Sequence, residues 1–216
     1  MKRKTASFTG RRAIFTGSPA IVPGGFNLDV TNQSFAVGTV IPAGSLAIYD
    51  EQTRLVQIVR TAEVKEIDSD DSKIVYLKVD EFFEPCFAVG NYVLEAGTGA
   101  TAIGSVPTIS KIERSNGVYK VTLSAAITGL AAGDILEEYV SDKQSTANSK
   151  EIGTANAVTI YDVEVGEDET GIDVSADTMQ YALLARRVPP IPASQKATDN
   201  SNMLKGNIHI KLSQSY

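Results

Sequence analysis

Val37-Gly38-Thr39-Val40-Ile41-Pro42-Ala43-Gly44 runs into Leu46-Ala47-Ile48-Tyr49, and this pairing of an apolar run with an Ala/Gly turn decides the fold. The pairing recurs at Val89-Gly90-Asn91-Tyr92-Val93-Leu94-Glu95-Ala96-Gly97 with one extra residue, and more loosely at Leu130-Ala131-Ala132-Gly133-Asp134-Ile135-Leu136. Glycine takes positive φ without steric cost, and Pro42 fixes φ and removes a backbone donor. Short apolar runs between such turns read as strands of a sandwich or barrel. The expected fold is mainly β: small β-barrel or sandwich modules with an extended N-terminal arm and one short C-terminal helix.

Outward from that stretch, strands and turns alternate. Ala47-Ile48-Tyr49 and Leu55-Val56-Gln57-Ile58-Val59 flank a polar turn at Asp50 to Arg54. Glu63 to Ile67 and Lys73 to Val79 flank the turn Asp68-Ser69-Asp70-Asp71-Ser72. Thr108 to Arg114 and Val118 to Leu123 flank Asn116-Gly117, a strong hairpin signal because a type I′ turn needs positive φ at both central positions. Tyr119, Val121 and Leu123 alternate with Lys120 and Thr122, which predicts one buried and one wet face.

Three regions follow. Residues 1–36 read as an extended basic arm, punctuated by Pro19, Pro23, Gly24 and Gly25 and without lasting periodicity. Residues 37–141 form the β-rich body. Residues 142–216 open with a polar stretch, continue with a strand over 158–165, and end with an alternating strand at Asn207-Ile208-His209-Ile210-Lys211-Leu212. Between these strands, Met179 to Arg187 is the helix candidate. Ser175 suits its cap, Asp177 its first turn and the arginines its last, and Pro189 and Pro190 stop it.

Composition bounds the function. The 216 residues suffice for one large β domain or two small ones, and 43% hydrophobic content predicts a folded chain. No apolar stretch is long enough for a membrane helix, and no apolar region follows the basic N-terminus as a secretory signal would require. The single Cys86 allows no internal disulfide and reads as a small buried apolar residue. Lys2, Arg3, Lys4, Arg11 and Arg12 are all the charges in the first twelve residues. Removing these five from 20 Lys and Arg leaves 15 against 26 acidic residues, so a basic arm precedes a body of charge −11. Such an arm can contact nucleic acid, an anionic membrane or an acidic protein surface; nucleic acid is the weak reading, since no aromatic platforms interleave its charges and the body would be repelled by DNA.

The arm also carries Phe8, Ile14, Phe15 and Phe26. Two readings stay open: these side chains gain order by burial on a partner, or they pack across the chain's own body as edge strands. In the first, Lys2, Arg3, Lys4, Arg11 and Arg12 steer, while Phe8, Ile14, Phe15 and Phe26 supply the buried area.

Catalytic patterns are sparse. His209, the only histidine, alternates with Ile208 and Ile210 and reads as the wet face of a strand, so no Ser-His-Asp or Cys-His set forms around it. The glycine-rich Gly97 to Gly104 lacks the Lys-Ser/Thr of a phosphate loop. Asp68, Asp70 and Asp71 miss the calcium-loop pattern, which would need Gly at 73 and Glu at 79 where the chain has Lys73 and Val79. Asp162, Glu164 and Glu167 read as a solvated acidic face rather than paired catalytic acids. No cofactor, no metal and no enzymatic activity are expected.

The span from about Gly38 to Tyr139 resembles head fiber and capsid decoration proteins of tailed bacteriophages, especially phages of Bacteroides-like hosts. The resemblance rests on Gly38 to Leu46 with Tyr49-Asp50, on Phe87-Ala88-Val89-Gly90-Asn91-Tyr92-Val93, and on Leu130 to Leu136. Arg186-Arg187-Val188-Pro189-Pro190-Ile191-Pro192 and Leu204-Lys205-Gly206-Asn207-Ile208 fit the same style. It implies a non-enzymatic virion structural protein, made in the host cytoplasm and bound outside the capsid. The implied partners are the major capsid protein, further copies of the chain in a homo-oligomer, expected as a trimer, and other head fiber proteins. A carbohydrate-binding β module is the alternative; Tyr49, Tyr76, Tyr92 and Tyr119 clustered on one exposed face would favour it.

Overall fold

The apolar runs pair as their turns dictate. The computed structural model describes residues 13–22, 25–99, 101–115, 117–142, 148–168, 170–177, 181–199 and 202–213. Leu46–Asp50 pairs antiparallel with Leu55–Val59 across the Asp50 to Arg54 turn, where Arg54 takes φ 58°. Ile109–Ser115 pairs with Val118–Leu123, and Gly117 has φ 78° as the hairpin requires; Asn116 lies outside the described residues. In the turn after Thr61–Ile67, the Asp68 carboxylate accepts the backbone N–H groups of Asp70 and Asp71 at 3.0 and 3.2 Å. That local bonding accounts for a turn built of acidic residues.

Six strands form a curled antiparallel sheet, a small half-closed barrel. Its order is Tyr92–Glu95, Ile135–Ser141, Thr61–Ile67, Ile74–Leu77, Val118–Leu123 and Ile109–Ser115. The ends meet through backbone bonds from Gly90 N to Ile109 O, Ile109 N to Asn91 O and Val93 N to Pro107 O, each 2.8–2.9 Å. The curl closes only there, so most of Ile109–Ser115 pairs on one side and remains an edge. Ala62, Val64, Val75, Leu77, Phe87, Tyr119, Val121, Leu123 and Leu136 fill the interior. Residues between them on the same strands face outward, as the period of two demands.

The second body is discontinuous, because the barrel is inserted in it. Leu46–Asp50 also pairs with Ala157–Val158, Val40–Ile41 with Val163–Glu164, and Phe26–Leu28 with Gly171–Ile172 and, in parallel, with Leu55–Val59. Leu46 and Val59 pack into one core with Val188, Leu204, Ile210 and Leu212. Ala47, Val56 and Ile58 pack into another with Phe26, Leu28 and Ile172. A sheet covered on both faces reads as continuous apolar runs, which is what residues 46–49 are and what residues 55–59 are but for Gln57, whose amide donates to Asp29 Oδ2 at 3.0 Å. Residues 13–59 and 152–213 thus build one body and residues 60–151 the barrel, whereas the sequence suggested an arm to 36, a body to 141 and a separate C-terminal segment.

Two expectations need correction. The stretch read as a C-terminal helix is extended: Ser175–Asp177 pairs with Ala20–Ile21, and Leu183–Leu184 pairs in parallel with Asn207–Ser213. Met179 and Gln180 lie outside the described residues. Leu183 and Leu184 are both buried, and their parallel pairing with Leu212 and Ser213 holds them extended. The only helical turns among the described residues are three-residue 3₁₀ turns at Ile103–Ser105 and Ala193–Gln195. The expected strand over 158–165 is broken into Ala157–Val158 and Val163–Glu164, with Asp162 between them accepting Ala43 N–H at 2.7 Å.

Candidate functional site

The residues expected to reach a partner fall into two groups. Lys2, Arg3, Lys4, Phe8, Arg11 and Arg12 lie outside the described residues. Ile14, Phe15 and Phe26 are buried, at 2%, 7% and 2% exposure, inside the chain's own cores. Ile14 and Phe15 pack with Leu183, Val188 and Leu212, and Phe26 packs with Val56 and Ile172. The reading that gave these three side chains to a partner is therefore corrected: they pack in the chain's own cores.

The chemistry of the described residues concentrates instead where the barrel meets the second body. Arg60, the first residue of the insert, is 1% exposed, and Glu138 is 4% exposed. Arg60 Nη1 donates to Glu138 Oε1 and to Asn91 Oδ1, both at 2.8 Å. Its Nη2 donates to the Ser34 carbonyl, and the guanidinium lies 3.7 Å from the centre of the Phe35 ring. The Glu138 carboxylate also accepts Asn91 Nδ2 at 2.8 Å and Gln33 Nε2 at 3.0 Å. Gln33 completes the clamp by bonding both ways to the Ile58 backbone, with Ile58 N–H donating at 2.7 Å and Gln33 Nε2 donating to Ile58 O at 2.7 Å.

Burial pushes the Glu138 carboxyl up, and Arg60 and Gln33 pull it back toward the ionised form. Four segments meet here: residues 33–35, Arg60, Asn91 and the strand at 135–141. A buried ion pair whose carboxylate is further hydrogen-bonded fixes one arrangement of the groups it joins, whatever its net worth in stability; Arg60 Nε alone of the guanidinium nitrogens is left without a partner among the described residues. The sequence signal for this clamp is charge inside apolar strands: Arg60 directly follows Val59, and Glu137-Glu138 splits Ile135-Leu136 from Tyr139-Val140.

Other suggested positions are placed plainly. Cys86 is buried, and desolvation pushes its thiol up, away from the reactive thiolate. His209 is exposed on the 207–213 strand. Tyr49 packs on Phe26 with ring centres 4.9 Å apart, while Tyr119 sits inside the barrel with its phenol pushed up to about 12 by burial. Tyr76 lies beside Lys120, and Tyr92 packs with Tyr139 outside the barrel, so the four tyrosines named above occupy separate places. An open hollow is lined by Gly25, Phe26, Asn27, Arg54 and Gly171, with Arg54 stacked 4.3 Å over Phe26. Among the described residues no group of three or more His, Cys, Asp or Glu is placed to hold a metal ion. No helix of the described residues is long and apolar enough to cross a membrane.

No family model, no curated protein and no solved structure matches the chain.

Proposed function

We propose that the chain is a non-enzymatic structural module of a phage particle, a trimer that docks on the outside of the capsid through its basic leader, residues 1–12. The carrying observation is the charge division: five basic residues in the leader against −11 over the remainder. A leader of this kind finds an acidic groove on a larger surface while the acidic body faces away from it. Burial of Ile14 and Phe15 in the core supports the reading by giving the leader a fixed point of departure. Contact then falls to Lys2, Arg3, Lys4, Arg11 and Arg12, with Phe8 as the apolar anchor. Closed threefold symmetry suits repeated attachment to an icosahedral shell.

The test is cosedimentation with purified capsids built of the major capsid protein, at low and high salt. The full chain is expected to bind, and to bind less as salt rises. Replacing the five basic residues with Gln should remove most of that binding and its salt dependence. A charge-neutralised chain that decorates capsids as well as the parent would refute the leader's role, and no binding by the parent would refute the capsid reading itself.

A further inference from the structure

Glu137 lies beside the clamp and behaves differently from Glu138. It is 0% exposed, and neither carboxylate oxygen has a hydrogen-bond partner among the described residues. Strand alternation turns it to the outer face of the barrel, since Leu136 on one side is in the interior core. Its cross-strand neighbours are Thr61 and Leu94. Thr61 is tied to the second body, its hydroxyl donating to the Pro190 carbonyl at 2.7 Å. Leu94 is covered on the other side by Val106 and Ile103. The carboxyl is thus shut between the barrel wall and segments that pack upon it.

We propose that Glu137 is a proton-held latch: its neutral carboxyl lets the 188–192 segment close on the barrel wall, and its ionisation loosens that seam. A buried polar group without partners is costly, and an ionised one far more so. The titratable groups around it give an anion no help. Glu151, on the strand next to Tyr139, repels it; Tyr139 and Tyr92 share its face of the barrel without bonding to it. Glu63, on the Thr61 strand, is engaged with Lys78 at 3.0 Å. Arg187, near Pro190 in sequence, donates to Ala13 O at 3.0 Å and lies over the Phe82 ring.

Burial, with Glu151 adding to it, pushes the carboxyl from 4.5 up to about 8. The folded chain then holds a proton that the unfolded chain releases. Stability conferred by the neutral carboxyl is full below about pH 4.5 and is lost as pH rises toward 8.

The experiment is urea unfolding of the full chain and of Glu137→Gln at pH 5, 7 and 9, with amide hydrogen exchange followed at Thr61, Val188 and Ile191, the prolines between them having no N–H. From pH 5 to 9 the parent's folding equilibrium constant should fall on the order of a thousandfold relative to the variant's. Exchange at Thr61, Val188 and Ile191 should speed up before global unfolding in the parent alone. Should Glu137→Gln fail to fold, a carboxyl titration of the parent labelled with ¹³C-glutamate makes the same test. One carboxyl titrating near pH 8 supports the latch. Parallel pH curves for the two proteins, or no carboxyl titrating above pH 6, would overturn it.

Discussion

Replacing Arg60 with Met removes a guanidinium with none of its side-chain surface exposed and leaves Glu138 buried without its cation. Asn91 and Gln33 still donate to the carboxylate, so its hydrogen bonding falls from three donors to two while its charge stays uncompensated. The Ser34 carbonyl loses a donor, and the Phe35 ring loses the cation stacked on it. Breaking a buried pair from one side costs about 3–5 kcal/mol, roughly a fifth or more of the stability of an ordinary domain. Glu138→Gln alone should cost a similar amount, because it strands Arg60 instead. The Arg60→Met/Glu138→Gln double variant buries no net charge. Its loss should fall short of the sum of the single losses by about 2–3 kcal/mol. Urea denaturation of the four proteins at pH 7, fitted with a common slope, measures each step. Additivity within about 0.5 kcal/mol would refute the coupling and, with it, the clamp.

Gly44 has φ 82°, and a Cβ there would come within 2.1 Å of the Val188 side chain; Gly90 has φ 93° with open space around it. Gly44→Ala should therefore cost about 2–4 kcal/mol, from a left-handed backbone plus overpacking, and Gly90→Ala only about 1–2, by the same denaturation measurement. Ile14→Ala and Phe15→Ala should lower the stability of the isolated chain by about 2–5 and 3–5 kcal/mol. Unchanged melting of either would return these side chains to a partner surface.

What the sequence revealed was local. The hairpin turning at Gly117, the Asp50 to Arg54 turn and the acidic turn at 68–72 each carry their own backbone instructions, and each is where it was expected. The residues that escaped depend on distant partners. Leu183-Leu184 looks helical until its parallel neighbour, some 29 residues later, is known. Phe26 looks like an arm residue until Leu55–Val59 and Gly171–Ile172 take up the strand it belongs to. The Arg60–Glu138 pair is separated by 78 positions, so charge within apolar runs could flag each residue but could not join them.

Insertion of the barrel into the second body sets an order of assembly during synthesis. The ribosome delivers residues 60–151 as one uninterrupted piece, and every strand of the curled barrel sheet lies within it. Residues 13–59 emerge earlier, yet their sheet waits for Ala157–Val158 and Gly171–Ile172, and their core waits for Asn207–Ser213. The nascent chain therefore holds an unfinished apolar hairpin at its front while a finished barrel forms behind it. Domains generally fold as units during synthesis at about 5–20 residues per second, so that hairpin stays uncovered for several seconds. A truncated message that stops after the barrel would release a product whose apolar hairpin is never covered, and chaperone dependence should centre on residues 46–59.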